Sequence, residues 1–490
     1  MHWEPVIGLE VHAELLTNSK MFCGCRVVDS TTAEPNTVVC PICAGMPGML
    51  PVVNQRAVEF GLRVALALNC TINPHNVFAR KNYFYPDLPK GYQISQYELP
   101  LAVNGFIVIN TDTGPKTIRI RRVHLEEDTG KLYHREGSNA SLVDLNRAGV
   151  PLLEIVSEPD LRSPEEARTY GMKLRTILRY LGVNTGDMEK GVIRFEANIS
   201  VRPAGTDALN NRTEIKNLNS FRALLRASEQ EINRQIGIYE NGGTVLQQTL
   251  GWHEGRQEVF AQRSKENADD YRYFPEPDLP PLIIAEDWIE AIRTSLPELP
   301  DQIRARYIAA GLSEYDAGVL VAEQAITHYF DQALLAAQTA TPPVAARDVA
   351  NWLTGELFGI MNATGDSIET VRVTPAALVE LVGLVQSNDI NTTTAKKVLR
   401  DMADTGERPS VIVAAQGLRQ VNDARQIAAI LAQLIADNPK QIEQYLGGKE
   451  TVSQWFFGQT MRALRGQANP QVVQHELNAA LAEIKARQAS

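Results

Sequence analysis

The sequence predicts an α+β fold, in which a domain of mixed strands and helices at residues 1–293 precedes a region of helices alone. Apolar and polar residues alternate at several places in the first domain, as they do in half-buried strands. A proline-rich segment follows, from Pro275 to Pro300. Beyond it the pattern is helical throughout and rich in Ala, Leu and Gln.

The clearest strand signal runs from Val192 to Arg202, where apolar and polar side chains alternate without interruption. Residues 7–12 and 212–217 show the same period of two. One face of this sheet is therefore apolar and is expected to pack on helices. The other face carries His, Glu, Arg, Asn and Lys.

Two helices of the first domain have clear ends. Ser163-Pro164-Glu165-Glu166 combines a capping serine, a proline at the first helical position and a glutamate three residues after the cap. This helix is expected to run to Leu181 and to stop at Gly182. A second helix is predicted from about Ser220 to Asn241, where Gly242-Gly243 ends it.

The helical region divides into two predicted domains. A helical domain is expected at residues 294–373. A tail domain at residues 374–490 is expected to start near Thr374-Pro375, which resembles a helix start.

Composition and charge exclude several classes of protein for this chain. Hydrophobic residues make up 44% and charged residues 22% of the chain, as in globular proteins. No apolar run approaches the ~20 residues that span a membrane, and the first residues lack a signal-peptide pattern. We therefore expect a cytoplasmic protein. The net charge of −10 argues against broad non-specific binding of nucleic acid, although a local basic patch remains compatible with RNA.

Four of the five cysteines form two close pairs, Cys23 with Cys25 and Cys40 with Cys43. In a reducing compartment such clustering indicates metal binding rather than disulfides. The pattern predicts a structural zinc site with four thiolate ligands, and unrelated buried thiols are the alternative.

Three adjacent carboxylates, Glu126-Glu127-Asp128, stand at the end of a predicted strand. They are either a solvated turn or part of a magnesium site, since Mg²⁺ takes oxygen ligands. The alternation slips at Arg121-Arg122, which predicts a β-bulge. Past the bulge, Glu126 shares the polar face with His124, while Glu127 points the other way unless the strand end turns it back.

The polar face as a whole is either a solvated outer surface or a site for phosphate chemistry. Its mixture of His, Arg, Asn and Glu differs from the Lys, Thr and Ser of most solvated faces. Carboxylates bind Mg²⁺, whereas Arg and Lys neutralise phosphate oxygens. The sequence has no P-loop, dinucleotide-binding or serine-hydrolase motif, so any ATP site lies outside those folds.

Several long segments together resemble the B subunits of the aspartyl/glutamyl-tRNA(Asn/Gln) amidotransferases, the GatB family. The resemblance covers the whole chain. It is carried by Val6–His12, the four cysteines with Pro35-Asn36-Thr37, Ala79–Tyr97, His124–Lys131, Asp144–Asp160, Thr213–Phe221, Asp270–Pro281, Gly458–Met461 and Gly466–Pro470.

The resemblance implies a glutamine synthetase-like antiparallel-sheet catalytic cradle, then a helical domain and a YqeY-like helical tail that meets tRNA. It also implies a reaction, in which ATP phosphorylates Glu on tRNA(Gln) or Asp on tRNA(Asn). Ammonia then displaces the phosphate. The expected partners in a heterotrimer are the A subunit, which is an amidase that releases the ammonia from glutamine, and the small C subunit. The expected cofactors are ATP, Mg²⁺ and structural Zn²⁺.

Site residues follow from the polar face and the resemblance together. We expect five residues to act in catalysis and to surround Mg²⁺, namely Glu10, His12, Glu126, Glu127 and Glu154. In second rank we expect contacts to phosphate or metal from Arg194, Glu196, Glu214 and Lys216. Many relatives have aspartate at residue 196, so Glu196 reaches one methylene further.

Basic residues outside the sheet are further candidates. Lys81 and Lys90 are expected to contact phosphates or to line the ammonia exit, with solvated loop lysines as the alternative. In the tail, four residues either contact tRNA phosphates or lie on a solvated helix face. They are Lys449, Arg462, Arg465 and Asn469.

Two other functions are also compatible with the sequence. One is a tRNA-binding scaffold whose partner performs all the chemistry, for which clustered Glu and His would have no use. The other is a free-standing ammonia ligase that acts on a small acid.

Overall fold

A computed structural model describes residues 2–134, 137, 139–264, 268–420, 424–464 and 468–489. The chain forms two compact units, Met1–Pro300 and Asp301–Ser490. The first unit mixes strands and helices, and in its described residues the second unit contains helices alone. The predicted succession of an α+β region and a helical region is therefore confirmed. The further division of the helical region at residue 373 stays a prediction.

Sixteen strands lie in the described residues of the first unit. They are β1 (Trp3–Glu14), β2 (Thr71–Ile72), β3 (His75–Asn76), β4 (Ala79–Asn82), β5 (Tyr92–Ser95), β6 (Ala102–Thr111), β7 (Gly114–Glu127), β8 (Lys131–His134), β9 (Ser141–Asp144), β10 (Pro151–Ser157), β11 (Ile193–Pro203), β12 (Thr213–Leu218), β13 (Gln248–His253), β14 (Glu258–Ser264), β15 (Phe274–Pro275) and β16 (Leu282–Ile283). Four α-helices accompany them in the same residues: α1 (Gln55–Ala67), α2 (Pro164–Tyr180), α3 (Phe221–Glu240) and α4 (Glu286–Thr294).

Nine of these strands form one large sheet in the order β14-β13-β12-β11-β1-β10-β7-β6-β2. Each neighbouring pair is antiparallel except β12 and β13, which are parallel. The predicted bulge is present, because Val156 of β10 faces Arg122 while the next residue, Ser157, faces Ile120. The extra residue, Arg121, kinks β7 at this point.

The apolar face of the sheet packs on helices α1, α2 and α3. The apolar residues predicted for β11 all have no exposed surface: Ile193, Phe195, Ala197, Ile199 and Val201. Ser163 caps α2 by accepting a hydrogen bond from the backbone N–H of Glu166 at 3.1 Å, as predicted. Ser220 caps α3 in the same way. Because helices cover this face of the sheet, the polar residues lie on the opposite face.

Twelve helices follow among the described residues: α5 (Pro300–Ala309), α6 (Glu314–Leu320), α7 (Gln324–Thr339), α8 (Ala346–Asn351), α9 (Phe358–Thr364), α10 (Pro375–Gln386), α11 (Thr392–Thr405), α12 (Pro409–Ala415), α13 (Ala424–Asp437), α14 (Pro439–Leu446), α15 (Thr451–Ala463) and α16 (Pro470–Ala489). A π-helical turn, Trp352–Leu357, joins α8 to α9. Within this unit α7 packs on α10, and a separate core of α13, α15 and α16 includes Ile427, Phe456 and Leu477. Within the described parts of the chain, no helix has the length and apolar character needed to cross a bilayer.

Candidate metal and phosphate site

The polar face of the sheet gathers its site residues by strand register. His12 on β1 faces Glu154 on β10 and Arg194 on β11, and Glu10 faces Glu196. Directly opposed residues in neighbouring strands have Cβ atoms about 4.5–5.5 Å apart. Side chains that are far apart in the sequence are therefore brought within contact distance at the middle of the sheet.

One group of side chains, the histidine cluster, consists of His12, His124, Glu126 and Glu154. Nε2 of His12 lies 3.5 Å from Oε2 of Glu154 and 3.7 Å from Oε1 of Glu126. Nε2 of His124 lies 3.0 Å from Oε2 of Glu154. The donor atoms of His12, Glu126 and Glu154 all lie within 4.8 Å of one another. This spacing suits a single metal ion with mixed nitrogen and oxygen ligands.

A second group, the carboxylate cluster, consists of Glu10, Glu196 and Glu214, whose oxygens also lie within 4.8 Å of one another. Nζ of Lys216 donates to Oε2 of Glu196 at 2.8 Å and lies 3.5 Å from Oε1 of Glu214. The amide of Asn198 donates to Oε1 of Glu10 at 2.9 Å. Lys216 therefore contacts two of the three carboxylates, and the cluster as a whole would suit a further cation.

The pKa values of these groups reflect their crowding. Burial raises the pKa of Glu10, and Glu154, Glu196 and Glu214 raise it further. Burial disfavours the imidazolium of His12, but the hydrogen bond and charge of Glu154 outweigh burial and raise the pKa of His12 to about 9. Burial opposes ionisation of Glu154 and Glu196 as well, but the charge of His124 lowers the pKa of Glu154 and that of Lys216 lowers the pKa of Glu196 to about 2. Glu10 is thus the carboxylate whose ionisation a bound divalent cation would favour. The carboxylate cluster therefore offers the oxygen ligands that Mg²⁺ takes, and the histidine cluster adds one imidazole nitrogen to two carboxylates.

Both clusters line one cavity of about 230 Å³, which we call the first cavity. Its wall also includes Lys81, which the sequence had indicated, and the stacked rings of Tyr97 and Tyr273, whose centroids are 4.1 Å apart. Nζ of Lys81 lies 4.9 Å from the ring centroid of Tyr271. Of the predicted residues, the structure brings eight together here: Glu10, His12, Lys81, Glu126, Glu154, Glu196, Glu214 and Lys216.

Three predicted residues lie elsewhere. Glu127 points away from its neighbour Glu126, forms an ion pair with Lys90 and accepts a hydrogen bond from the backbone N–H of Ile94 at 3.0 Å. Arg194 donates to Asp128 at 2.9 Å. None of Lys90, Glu127 and Arg194 is among the residues that line the first cavity. Strand parity had indicated this direction for Glu127.

Two arginines of the first cavity, Arg122 and Arg212, were missing from the predicted site residues. Arg212 lies on the polar face that the alternation had identified. Arg122 reaches the same face because Arg121 is the extra residue of the bulge. The slip in the alternation was a usable signal, since bulges often redirect a side chain near an active site.

The four predicted zinc ligands lie together, with all sulfur atoms within 4.8 Å of one another. Sγ of Cys43 lies 3.5 Å from that of Cys23 and 3.6 Å from that of Cys40. A tetrahedral zinc ion with Zn–S bonds of about 2.3 Å separates its sulfurs by about 3.8 Å. The hydrogen bond between Cys23 and Cys43 lowers the pKa of Cys43 to about 4 and raises that of Cys23, so one of these two thiols is held as the thiolate that a metal requires. The cluster fits a structural metal ion.

Comparison with known proteins agrees with this architecture. The model of the GatB/GatE catalytic domain matches residues 5–290, and that of the GatB domain matches residues 329–481. The chain belongs to the GatB family. Three relatives are each named as the B subunit of an aspartyl/glutamyl-tRNA(Asn/Gln) amidotransferase. They come from Roseiflexus sp. (51% identity, 99% of this chain, 100% of the relative), Caldanaerobacter subterraneus (50%, 99%, 100%) and Dehalococcoides mccartyi (49%, 98%, 99%).

The family membership confirms the resemblance found in the sequence, and it covers both units. The residues that match the catalytic-domain model include the large sheet from Pro5 onward, with its histidine and carboxylate clusters. The first cavity is therefore the candidate active site of a GatB family member.

Proposed function

We propose that this chain is the subunit of a tRNA-dependent amidotransferase that both activates and amidates the substrate. It phosphorylates the side-chain carboxylate of Glu on tRNA(Gln), or of Asp on tRNA(Asn), and then replaces the phosphate with ammonia. The observation that supports this most directly is the first cavity, where five glutamates lie beside lysine and arginine side chains. A site that holds the anions of ATP and of a carboxylate together needs both metal ligands and basic groups.

The chemistry has two balanced steps. A carboxylate oxygen of the substrate attacks the γ-phosphorus of ATP, the bond from that phosphorus to the oxygen of ADP breaks, and ADP leaves. Ammonia then attacks the carbonyl carbon, the bond to phosphate breaks, and the nitrogen loses a proton. A carboxylate side chain of the first cavity would accept that proton.

Residues of this chain would position the phosphates and the substrate carboxylate. The histidine cluster and the carboxylate cluster would hold Mg²⁺, which when bound neutralises charge between the phosphates and the substrate carboxylate. Lys216 and Lys81 add positive charge to the lining of the cavity. The rings of Tyr97, Tyr271 and Tyr273 pack together at the wall of the cavity, where they would limit the access of water that hydrolyses an acyl phosphate.

The finer features implied by family membership belong to the same proposal. They are a glutamine synthetase-like cradle, structural Zn²⁺, an amidase as the A subunit that supplies ammonia, the small C subunit, and a cytoplasmic location. Domain boundaries at residues 293 and 373 are proposed with them. The activity would be that of an ATP-dependent carbon–nitrogen ligase with glutamine as the amido donor.

The tail is proposed to contact tRNA. Lys449 and Arg462 have exposed side chains that could meet phosphates, whereas Asn469 is buried and accepts a hydrogen bond from the backbone N–H of Gln471 at 3.0 Å. Asn469 is therefore better explained as a residue that stabilises the start of α16. Arg465 lies outside the described residues.

The substitution Glu126→Gln in the assembled complex tests the proposal against the scaffold alternative. Removing this carboxylate from the histidine cluster should lower both ATP consumption and amidated tRNA by at least about 100-fold. Glu59→Gln, on the surface of α1, is the matched control. An unchanged yield of amidated tRNA from the Glu126 variant would show that the chemistry takes place elsewhere. Product formed from ammonium, ATP and free glutamate would instead support a free-standing ligase.

A further inference from the structure

A loop at residues 34–48, which we call the cysteine loop, carries two of the four cysteines and packs on a bridging segment at residues 144–150. Asn146 of the bridging segment has no exposed surface. Its Oδ1 atom accepts a hydrogen bond from the backbone N–H of Val38 at 2.9 Å, and its Nδ2 atom donates to the carbonyl oxygen of Glu34 at 2.7 Å. Both ends of this amide are therefore bonded to the backbone of the cysteine loop.

Asn36 adds a second set of contacts between the same two segments. Its backbone N–H donates to Oδ1 of Asp144 at 3.0 Å. Its side chain donates to the carbonyl oxygen of Val143 at 2.9 Å and accepts from the backbone N–H of Leu145 at 2.8 Å. The φ of Asn36 is 58°, in the left-handed region that asparagine adopts more readily than most residues. Because hydrogen bonds are directional, these contacts fix the bridging segment at one position on the cysteine loop.

The bridging segment in turn holds the end of β7 and the turn after it, residues 126–130. The backbone N–H of Asp128 donates to the carbonyl oxygen of Val150 at 2.8 Å, and that of Gly149 donates to the carbonyl oxygen of Asp128 at 2.9 Å. The guanidinium group of Arg147 donates to two further carbonyl oxygens of this turn, at 3.0 Å and 2.7 Å. The end of β7 is therefore connected to the cysteine loop through one intervening segment.

The cysteine loop also reaches the end of β7 through Lys90. Gly45 has a φ of 65°, and a Cβ atom at this position would lie 2.8 Å from Cγ and 2.9 Å from the backbone nitrogen of Lys90. Glycine thus permits a backbone approach that a larger residue would prevent. Lys90 forms the ion pair with Glu127, the residue that follows Glu126 of the histidine cluster. The cysteine loop therefore supports this part of the site from two directions.

We propose that the cysteine loop positions the carboxylate of Glu126 in the first cavity, with Asn146 and Gly45 as positioning residues. A functional side chain must be held to within about 0.5 Å of its working geometry. Two independent contacts can fix the end of β7 more closely than the strand alone, whose pairing stops there. This role goes beyond the proposed function, and only its kinetic consequence rests on that function.

Hydrogen exchange of the assembled complex, measured by mass spectrometry, tests the positioning without reference to activity. Asn146→Ala removes both bonds to the cysteine loop, and Gly45→Ala forces the loop and Lys90 apart. Each should raise the exchange rate of the amides at residues 126–130 by roughly tenfold or more, because these amides open locally when their support is lost. Exchange in β11, at the centre of the large sheet, should stay as in the wild type.

Each variant has a matched control. Asn184 is also buried and also uses both ends of its amide, but it bonds to the backbone of other segments. Gly48 lies in the same loop as Gly45 and has a φ of 81°, yet a Cβ atom there would have nothing within 4 Å. Asn184→Ala and Gly48→Ala should therefore leave exchange at residues 126–130 within about twofold of the wild type.

The kinetic consequence concerns kcat. A displaced Glu126 should lower kcat for amidated tRNA by roughly 10- to 100-fold in Asn146→Ala and Gly45→Ala. The KM for tRNA should stay within about threefold, since the tail proposed to contact tRNA is unaltered. A residue that merely stabilises the fold would not divide its effect in this way.

The outcomes separate the positioning role from the proposed function. Wild-type exchange at residues 126–130 in both variants would overturn the positioning role, and so would an equal rise throughout the sheet, which would indicate general stabilisation. A local rise with unchanged kcat in an active complex would also overturn it. A wild-type complex that consumes no ATP would instead overturn the proposed function, and the exchange measurements would still decide the positioning role.

Discussion

The ammonium group of Lys20 lies 3.4 Å from Sγ of Cys43, and the Lys20 side chain has no exposed surface. The same Nζ atom donates to the carbonyl oxygens of Val38 at 2.9 Å and Leu145 at 3.4 Å. A buried charge is costly unless an opposite charge compensates it. Four thiolates around one Zn²⁺ would carry a net charge of −2, which Lys20 would compensate. The same lysine links the cysteine cluster to the loop at Leu145.

Replacing Lys20 should therefore weaken zinc binding. Lys20→Met keeps the volume of the side chain and removes its charge and donors, and we expect a zinc affinity roughly 10- to 100-fold lower. Competition with a chromogenic chelator at fixed pH measures the change. Lys190→Met is the control, because Lys190 pairs with Asp29 at the surface. Equal zinc affinities for the two variants would mean that Lys20 contributes only to packing.

A buried carboxylate on α3 should stabilise β12, the strand that carries Glu214 and Lys216. Oε1 of Glu231 accepts hydrogen bonds from Thr213 at 2.6 Å and from Gln235 at 2.7 Å, and Arg234 donates to both of its oxygens. Glu231→Gln keeps the shape but loses the charge-assisted bonds, at a cost of about 1.5–3 kcal/mol in the free energy of unfolding. Urea denaturation measures it. Glu229→Gln, exposed on the same helix, should change stability by less than about 0.5 kcal/mol.

The raised pKa of Glu14 should appear in the pH dependence of the free energy of unfolding. Burial and the nearby charge of Asp128 raise the pKa of Glu14 to about 8, from 4.5. Because the folded chain holds this proton more tightly than the unfolded chain, Glu14 lowers stability progressively as the pH rises from about 4.5 to 8.

Glu14→Gln imitates the protonated acid and can still donate a hydrogen bond to Asp128. It should match the wild type near pH 4.5 and exceed its stability by about 1–3 kcal/mol at pH 8. Urea denaturation at both pH values gives the comparison, with the exposed Glu165→Gln as control. A constant difference between wild type and Glu14→Gln across this range would contradict the raised pKa.

Sequence patterns predicted the parts of the fold that depend only on residues close together in the sequence. The alternation in β11 identified its buried face, and the serine caps of α2 and α3 identified the helix starts. The pairing of His12 with Glu154 depends on the register between β1 and β10, which are far apart in the sequence, and no local pattern contains that register.

Two lysines also show that burial and side-chain contacts depend on residues far away in the sequence. Lys20 stands next to the cysteine pair in the sequence, yet nothing in the pattern distinguishes it from a solvated lysine. Its burial follows from the contact with Leu145, more than a hundred residues away. The sequence does not distinguish Lys90 from Lys81, since both lie in the polar and aromatic segment Ala79–Tyr92. The structure separates them, since Lys90 pairs with Glu127 outside the first cavity.

This separation predicts different effects for the two lysines. Burial favours the neutral amine of Lys81, but Tyr273 and Glu126 outweigh burial and hold its pKa above the usual value. Lys81 thus remains a cation in the first cavity, where ATP phosphates are proposed to bind. Lys81→Met should raise the Kd for MgADP by roughly tenfold or more, since a charge-assisted contact is worth about 1.5–3 kcal/mol.

Lys90→Met should leave MgADP binding within about twofold of the wild type and instead affect stability, because Glu127 would be buried without its partner. Binding measured by equilibrium dialysis and stability measured by thermal unfolding separate the two effects. Similar losses of MgADP affinity in both variants would show that Lys90 also reaches the nucleotide. An unaltered Kd for Lys81→Met would remove Lys81 from the phosphate site.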